Sequence, residues 1–364
     1  MHLVKLRLYD FRNFGEINIT FSPGINIIFG ENAQGKTNML EAVYFLSCLK
    51  AQRPLRETEM IRHGQEQAYL KGTYETRFGL LDREITLYRN RKKNVKENEN
   101  TVRKWSELNQ EISAVFFSPD DLSLVKGDPS QRRRFIDNII FQIKPAYLVY
   151  IKDYNRVLTQ RNTLLRAIKK DPSLISELDP WDEQLAKLGT YIMKERLAGL
   201  EKVAQEAKSL FGYFSGGKVQ LQINYVNSVK FNNEDTIRQS YHKALIANRN
   251  TDIMRSFTTI GPHRDDLRFL LDGQDMKYFG SQGQQRLLVL CFKLSQRELL
   301  YREKGQYPIM ILDDVLSELD VTRRRHILDV QKSQVFITTT DLEQIPPDIK
   351  EKSCIYQMET GNIR

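Results

Sequence analysis

Apolar and polar residues alternate along much of the first hundred positions, which is the period of a β-strand with one buried face. Four segments show this alternation: residues 4–8, 16–21, 69–74 and 84–88. Residues 25–29 are almost continuously apolar and predict a short buried strand. Residues 38–46 carry apolar side chains on most sides and predict a helix. The N-terminal region is therefore predicted to be rich in strands, with one strand leading into a helix.

From about residue 130 the period becomes that of amphipathic helices. Six apolar residues predict a narrow seam with heptad spacing: Tyr147, Ile151, Tyr154, Leu158, Leu165 and Ile168. Asp179 as an N-cap and Pro180 at the first helical position predict a second helix, which Gly216 and Gly217 end. The two helices predict either a short antiparallel arm or an ordinary helical subdomain. Alternation over residues 219–225 then predicts a return to strands.

The composition limits the number of domains and the class of protein. The 364 residues are enough for about two domains, and 40% hydrophobic with 28% charged residues are typical of a soluble globular protein. We find no apolar run of about 18 residues and no signal-peptide core at the start, so we expect a cytoplasmic protein without a membrane partner. The widely spaced Cys48, Cys291 and Cys354 predict neither a disulfide framework nor a zinc site, and each is expected to be a core thiol.

The net charge of +9 is compatible with a polyanionic partner. Basic residues cluster in four places: residues 89–93, 132–134, 169–170 and 323–325. A solvated face explains any single cluster. Several clusters in a chain that also binds nucleotide would favour DNA.

A nucleotide site is predicted between the strand at 25–29 and the helix at 38–46. The segment Gly30-Glu31-Asn32-Ala33-Gln34-Gly35-Lys36-Thr37 fits the pattern G-x-x-x-x-G-K-[ST]. Glycines let the loop fold around an anion so that N–H groups point inward, and the helix dipole adds attraction. We expect all eight residues to bind ATP, Lys36 to reach the β- and γ-phosphates as a catalytic cation, and Thr37 to bind Mg²⁺.

The second half of this site is predicted far along the chain. Residues 307–312 form an apolar strand that ends in Asp313 and Asp314. We expect Asp313 to hold Mg²⁺ and Asp314 to be the catalytic base that positions the attacking water. Residues 281–286 strengthen this interpretation because they precede an apolar helix at 287–294.

These motifs together resemble the ATP-binding cassette ATPases. Residues 280–284 stand in place of the signature motif, Asp313 and Asp314 at Walker B, and residues 317–320 at the D-loop. The resemblance implies that Ser281, Gly283 and Gln284 bind ATP held by a second subunit, with Ser281 acting in catalysis, and hence an ATP-dependent homodimer. Thr340 falls where the switch histidine normally lies, so no histidine role carries over. Asp314 replaces the more usual glutamate, which fits a slow ATPase.

Further motifs narrow the resemblance to one branch of these ATPases. Residues 10–14 resemble the head of chromosome-maintenance and Rad-type repair ATPases and imply that Arg12 contacts nucleotide. Five segments, in order and over essentially the whole chain, resemble the RecF family: residues 116–122, 127–137, 261–266, 280–286 and 312–320. The implied fold is α/β, an ATP-binding cassette head with mixed sheets (residues 1–115 and 259–364) interrupted by a mainly helical domain with a short arm (residues 116–258).

The RecF resemblance also implies function and partners. It implies a non-motor, ATP-dependent DNA-binding protein of recombinational repair and replication restart, with weak DNA-stimulated ATPase activity and a link to the SOS response. Its partners would be gapped or junction DNA, RecR and RecO, and it would promote RecA loading on single-stranded DNA.

Other classes remain open. A membrane transporter subunit would carry the same motifs without the long central insert. An ATP-gated nuclease would need an additional acidic metal cluster, and a P-loop kinase would need neither the signature serine nor a D-loop.

Overall fold

The computed structural model of the chain describes residues 1–52, 56–104, 107–217, 219–316, 321–328 and 333–363. The strands in this part are β1 (His2–Phe11), β2 (Phe14–Thr20), β3 (Ile25–Phe29), β4 (Gln67–Thr76), β5 (Gly79–Tyr88), β6 (Asn94–Glu97), β7 (Asn100–Thr101), β8 (Ala114–Phe117), β9 (Leu221–Val226), β10 (Asp266–Leu271), β11 (Gln274–Asp275), β12 (Ile309–Asp313), β13 (Val335–Thr339), β14 (Ser353–Glu359) and β15 (Asn362–Ile363). The α-helices are α1 (Lys36–Cys48), α2 (Ser123–Lys126), α3 (Pro129–Ile143), α4 (Tyr147–Ile168), α5 (Asp179–Ser215), α6 (Ile237–Ala247), α7 (Arg249–Arg255), α8 (Met276–Phe279), α9 (Gln282–Lys304), α10 (Val321–Leu328) and α11 (Pro347–Lys350).

The chain divides into two compact units. The first comprises Met1–Asp121 and Gln296–Arg364, and the second comprises Leu122–Ser295. The predicted head resumes at residue 259, whereas the structure groups residues 259–295 with the inserted unit. The signature segment at 280–284 therefore belongs to the second unit. None of the described helices has the length and hydropathy that a membrane crossing requires.

The first unit contains two six-stranded sheets. One is antiparallel, with strand order β2-β1-β4-β5-β6-β7, and the other has the order β15-β14-β3-β13-β12-β8. In the second sheet β14, β3, β13, β12 and β8 run parallel, which needs helical crossovers between them. Apolar side chains of the first sheet, such as Leu6, Leu70 and Ile85, share one core with Val43 of α1. The predicted alternation in β1, β2, β4 and β5 and the buried β3 are confirmed.

The second unit is mainly helical, with α4 and α5 packed together and a three-stranded sheet of order β11-β10-β9. Helix α5 ends at Gly216, which adopts the left-handed backbone (φ 71°) that ends helices, as predicted. The predicted heptad seam of α4 is only partly right. Ile151 and Leu158 are half-buried, whereas Val157 and Arg161 are buried. The buried residues Tyr147, Tyr154, Arg161 and Ile168 recur every seven residues, so the heptad spacing holds while two of the predicted members are only half-buried.

The cysteine prediction also needs a correction. Cys48 and Cys291 are buried thiols as expected, but Cys354 is exposed. Cys354 and Ile355 at the start of β14 are both open to solvent, so the described residues cover neither face of this end of the strand. Alternation along the sequence does not reveal whether another element covers a strand.

Candidate nucleotide site

The phosphate loop joins β3 to α1, as the sequence predicts. Gly35 has φ 111° and precedes the first residue of α1, a conformation that favours glycine. A Cβ atom on Gly30 would lie 2.3 Å from the carbonyl oxygen of Met358, and one on Gly35 would lie 2.6 Å from Asn13 Nδ2. Glycine is therefore needed at both positions. Between them, Glu31, Asn32 and Ala33 are exposed.

Lys36 turns back onto this loop. Its Nζ donates hydrogen bonds to the backbone oxygens of Gly30 (2.5 Å) and Glu31 (2.7 Å). Burial lowers the pKa of Lys36, and the nearby Asp314 and Asp313 carboxylates oppose that shift. The ammonium is thus held at the loop by carbonyl dipoles, where it can exchange these bonds for phosphate oxygens.

The two halves of the predicted site meet at the first residues of α1. Thr37 Oγ1 donates to Asp313 Oδ1 across 3.0 Å, although the residues are 276 positions apart. Asp313 is buried at the end of β12, and Thr338 Oγ1 donates to the same oxygen at 2.7 Å. A hydroxyl and a carboxylate at this separation are the oxygen ligands that Mg²⁺ accepts alongside phosphate. The predicted metal residues Thr37 and Asp313 therefore lie together.

Asp314 differs from its neighbour in environment. It is exposed, its φ of 52° is in the left-handed region, and its N–H donates to Thr338 Oγ1 at 3.0 Å. Thr338 therefore contacts both acids. The sequence alone does not reveal a role for Thr338, because the contact depends on the parallel register that sets Asp313 opposite Thr338. Thr340, at the switch position, is exposed.

Gln34 anchors the loop from outside. The backbone N–H groups of Thr360 and Gly361 donate to its side-chain and main-chain oxygens at 2.5 and 3.2 Å. Asn13 Nδ2 also approaches the Gln34 carbonyl at 3.4 Å. The turns after β1 and β14 therefore hold the phosphate loop.

Arg12, expected to contact nucleotide, has an ion pair within the protein. Its NH2 lies 2.8 Å from Glu41 Oε2 on α1, and its NH1 donates to the Glu59 carbonyl at 3.1 Å. Arg12 itself has φ 56° in the turn between β1 and β2. This turn places Asn13 against the phosphate loop, and the Arg12–Glu41 pair fixes the turn on α1.

The signature segment forms a helix N-terminus in the second unit. Ser281 N donates to Gln284 Oε1 at 2.9 Å, and Gln284 N donates to Ser281 Oγ at 3.3 Å, which is a reciprocal capping box for α9. Ser281 and Gly283 are exposed, and a Cβ on Gly283 would meet no atom within 4 Å. The predicted D-loop at 317–320 lies outside the described residues.

The basic cluster at residues 132–134 and the segment at residues 261–266 both have structural roles. Arg132 is buried and forms a bidentate pair with Asp266 (2.6 and 3.0 Å), and Arg133 donates to the Asp265 carbonyl. Pro262 and His263, from the same 261–266 segment, accept hydrogen bonds from Arg196 and Tyr154. Segment 261–266 is therefore a hydrogen-bonding centre of the second unit.

Comparison with solved structures defines the class. An Smc head domain from Pyrococcus furiosus, solved with an extended coiled coil and bound to the C-terminal domain of ScpA, is 14% identical with a TM-score of 0.52; the match covers 100% of this chain and 95% of that chain. At this identity the similarity concerns the fold alone, which is that of the SMC-type ATPase head. Residues 2–362 match the family described as RecF/RecN/SMC N terminal domain.

Relatives with higher sequence identity show the family to which the chain belongs. DNA replication and repair protein RecF of Heliobacterium modesticaldum is 39% identical over 370 residues, covering 100% of this chain and 99% of the relative. RecF of Geobacillus kaustophilus is 38% identical over 369 residues, with 100% and 99% coverage. A solved structure of the recombination mediator protein RecF-ATP in the RecFOR pathway is 33% identical, with a TM-score of 0.92 and coverage of 100% and 97%. The chain belongs to the RecF family of DNA replication and repair proteins.

Proposed function

We propose that this protein is an ATP-dependent DNA-binding protein of recombinational repair, in which ATP joins two copies and slow hydrolysis separates them. The observation that carries the proposal is the Thr37–Asp313 hydrogen bond, which couples the phosphate loop to the acidic strand end. The solved RecF relative contains ATP, which supports ATP as the ligand of this loop. Mg²⁺ would be held by Thr37 and Asp313.

Each residue of the site has a task in this proposal. The N–H groups of residues 30–37 and the ammonium of Lys36 bind the β- and γ-phosphates. Mg²⁺, when bound, would neutralise charge that develops on the phosphates. Asp314, exposed at the strand end, positions the attacking water and accepts its proton. Ser281 and the N-terminus of α9 bind the γ-phosphate of a second copy.

The partners follow from the family. The relatives are named DNA replication and repair proteins, and one solved relative is named in the RecFOR pathway. We therefore propose gapped or junction DNA, RecR and RecO as partners, and RecA loading on single-stranded DNA as the outcome. A transporter subunit is less well supported, because the full-length relatives are repair proteins.

The test measures mass in solution by light scattering, with and without ATP and DNA. We expect a monomer that becomes a dimer with ATP, because ATP bound between copies favours the dimer. Ser281→Arg should keep ATP binding but lose dimerisation and hydrolysis, whereas Ser281→Thr, which keeps the hydroxyl, should resemble the parent.

Mixing two defective variants gives the sharper result. Lys36→Met removes the cation that binds phosphate, and Ser281→Arg blocks the signature. A heterodimer of the two contains one site with an intact phosphate loop and an intact signature, so activity should partly return on mixing. A Ser281→Arg protein that dimerises and hydrolyses ATP like the parent would contradict the composite site.

A further inference from the structure

The outer face of α4 carries a row of cationic and hydroxyl side chains, all exposed. At 3.6 residues per turn these residues lie within about 80° of one another, on the side opposite the buried Tyr154 and Arg161. Five are in the helix and the sixth is in the turn that follows it. We call them the α4 stripe: Lys152, Arg156, Thr159, Thr163, Arg166 and Lys170.

The four charged residues of the α4 stripe are all basic. Arg156 lies 3.3 Å from Asp153, but the two side chains are 73% and 42% exposed, so solvent screens the pair and it can be exchanged at small cost. Helix α5 differs, because its exposed Lys187 and Lys202 alternate with Glu183 and Glu201. The charged residues of the α4 stripe are thus all positive, whereas the exposed charged residues of α5 include both signs.

Two of the other basic clusters fit DNA less well. In cluster 132–134, Arg132 is buried against Asp266 and Arg133 is bonded to a backbone oxygen. In cluster 89–93, Lys93 is paired with Glu57 and donates to the Leu49 carbonyl. These cations are held by the fold. The α4 stripe continues into the third basic cluster of the sequence, the Lys169–Lys170 pair.

The dimensions of the stripe match a phosphate backbone. From Lys152 to Arg166 the helix rises about 21 Å, using 1.5 Å per residue. Over that length one strand of a duplex lying along the helix has about six phosphates, at about 3.4 Å of duplex axis each, and the stripe would contact those that face it. Lysine and arginine donate to phosphate oxygens without reading sequence. The hydroxyls of Thr159 and Thr163 donate to the carbonyls of Asn155 and Thr159, so the cations of the stripe would make the phosphate contacts.

We propose that the α4 stripe is a DNA-backbone contact surface. The inference rests on the proposed DNA-binding function and adds to it which helix face meets the phosphates. The contact is electrostatic and independent of base sequence, and it lies on the solvent-exposed face of α4 within the second unit.

The first experiment removes charge. Arg156→Glu/Arg166→Glu is compared with the matched pair Lys187→Glu/Lys208→Glu on α5, and binding to a fluorescent gapped duplex is followed by anisotropy from 50 to 300 mM salt. The stripe pair should weaken binding by about tenfold or more at 100 mM salt and reduce the slope of log K against log salt by about 1.8, since each phosphate contact contributes about 0.9. The α5 pair should keep the parental slope.

The second experiment adds charge, so a folding defect cannot imitate its result. Thr159→Lys/Thr163→Lys should bind more tightly and steepen the slope by up to about 1.8. Gln184→Lys/Gln205→Lys on exposed positions of α5 is the control. Equal slopes in the two stripe variants and the parent would contradict the proposal that the α4 stripe contacts DNA. A parent that binds no DNA would instead contradict the proposed function itself.

Discussion

At the scale of single residues, Thr338 joins the two acids of the site. Its hydroxyl donates to Asp313 and accepts from the Asp314 N–H. We expect Thr338→Val to weaken Mg²⁺–ATP binding about tenfold, because losing a buried hydrogen bond costs about 1–3 kcal/mol and lets Asp313 turn away from Thr37. Calorimetric titration with ATP and Mg²⁺ measures this.

Thr338→Ser is the matched control because it keeps the hydroxyl. It should bind Mg²⁺–ATP within about twofold of the parent. If valine binds as well as serine, the hydroxyl does not orient Asp313, and the acid is held by Thr37 alone.

Local sequence could predict the phosphate loop, because glycine spacing, a buried strand and a helix lie within 20 residues of one another. It could also predict Asp313 at a strand end. Thr338 could not be predicted, since its role comes from the pairing of β13 with β12. The Arg12–Glu41 ion pair is a similar case, because a turn and a helix meet only in the folded chain.

At the scale of elements, a buried arginine ties three segments of the second unit together. Arg161 on α4 is fully buried and bonds Asp182 of α5 and Asp252 of α7, each at 2.7 Å. Arg161→Met should lower the free energy of unfolding by about 3–5 kcal/mol, because two acids lose a buried partner. Arg156→Met, on the exposed side of α4, should change it by less than about 0.5 kcal/mol.

Urea unfolding followed by circular dichroism compares the two variants. Comparable stability of both would mean that Arg249, which also pairs with Asp182, compensates the loss. Hydrophobic periodicity could not predict the ion pairs of Arg161. A charged residue is expected to be exposed unless its acidic partners are known, and these partners lie on other helices.

His263 makes the second unit sensitive to acid. It accepts from Tyr154 through Nδ1 (2.7 Å) and donates from Nε2 to the Thr258 carbonyl (3.1 Å), so the fold holds the neutral ring. Burial lowers the pKa of His263 to about 4, from 6.5. Between these values the unfolded chain binds more protons than the folded one, so stability falls as the pH falls from 6.5 to 4.

The expected loss from this histidine is about 3 kcal/mol when the pH has reached 4, at 1.36 kcal/mol per pKa unit. Urea titrations at pH 7.0, 5.5 and 4.5 should show a steeper decline for the parent than for His263→Gln, which does not titrate. Parallel declines would show that other groups dominate acid unfolding.

At the scale of the whole molecule, hydrolysis should set how long two copies stay joined. Asp314→Asn keeps Asp313 and Thr37 for the metal but removes the carboxylate that positions water. We expect turnover to fall at least about a hundredfold, a typical contribution of a general base, while ATP-bound dimers persist. Light scattering after ATP addition records their lifetime, and undiminished turnover would exclude Asp314 as the base.

The interleaved order of the second sheet has a consequence for how the protein is made. Strand β3 lies between β13 and β14, and β8 pairs with β12, so the four strands β12 to β15, all after residue 308, complete a sheet begun near the start of the chain. At about 5–20 residues per second, the ribosome releases β13 about 15–60 s after β3. During that interval the apolar β3 has no strand beside it, which favours aggregation or chaperone binding. The inserted unit, Leu122–Ser295, is encoded entirely in between and can fold first. A nascent chain that has emerged from the ribosome past residue 295 but not to residue 309 should therefore display a folded helical unit and an unfolded nucleotide site.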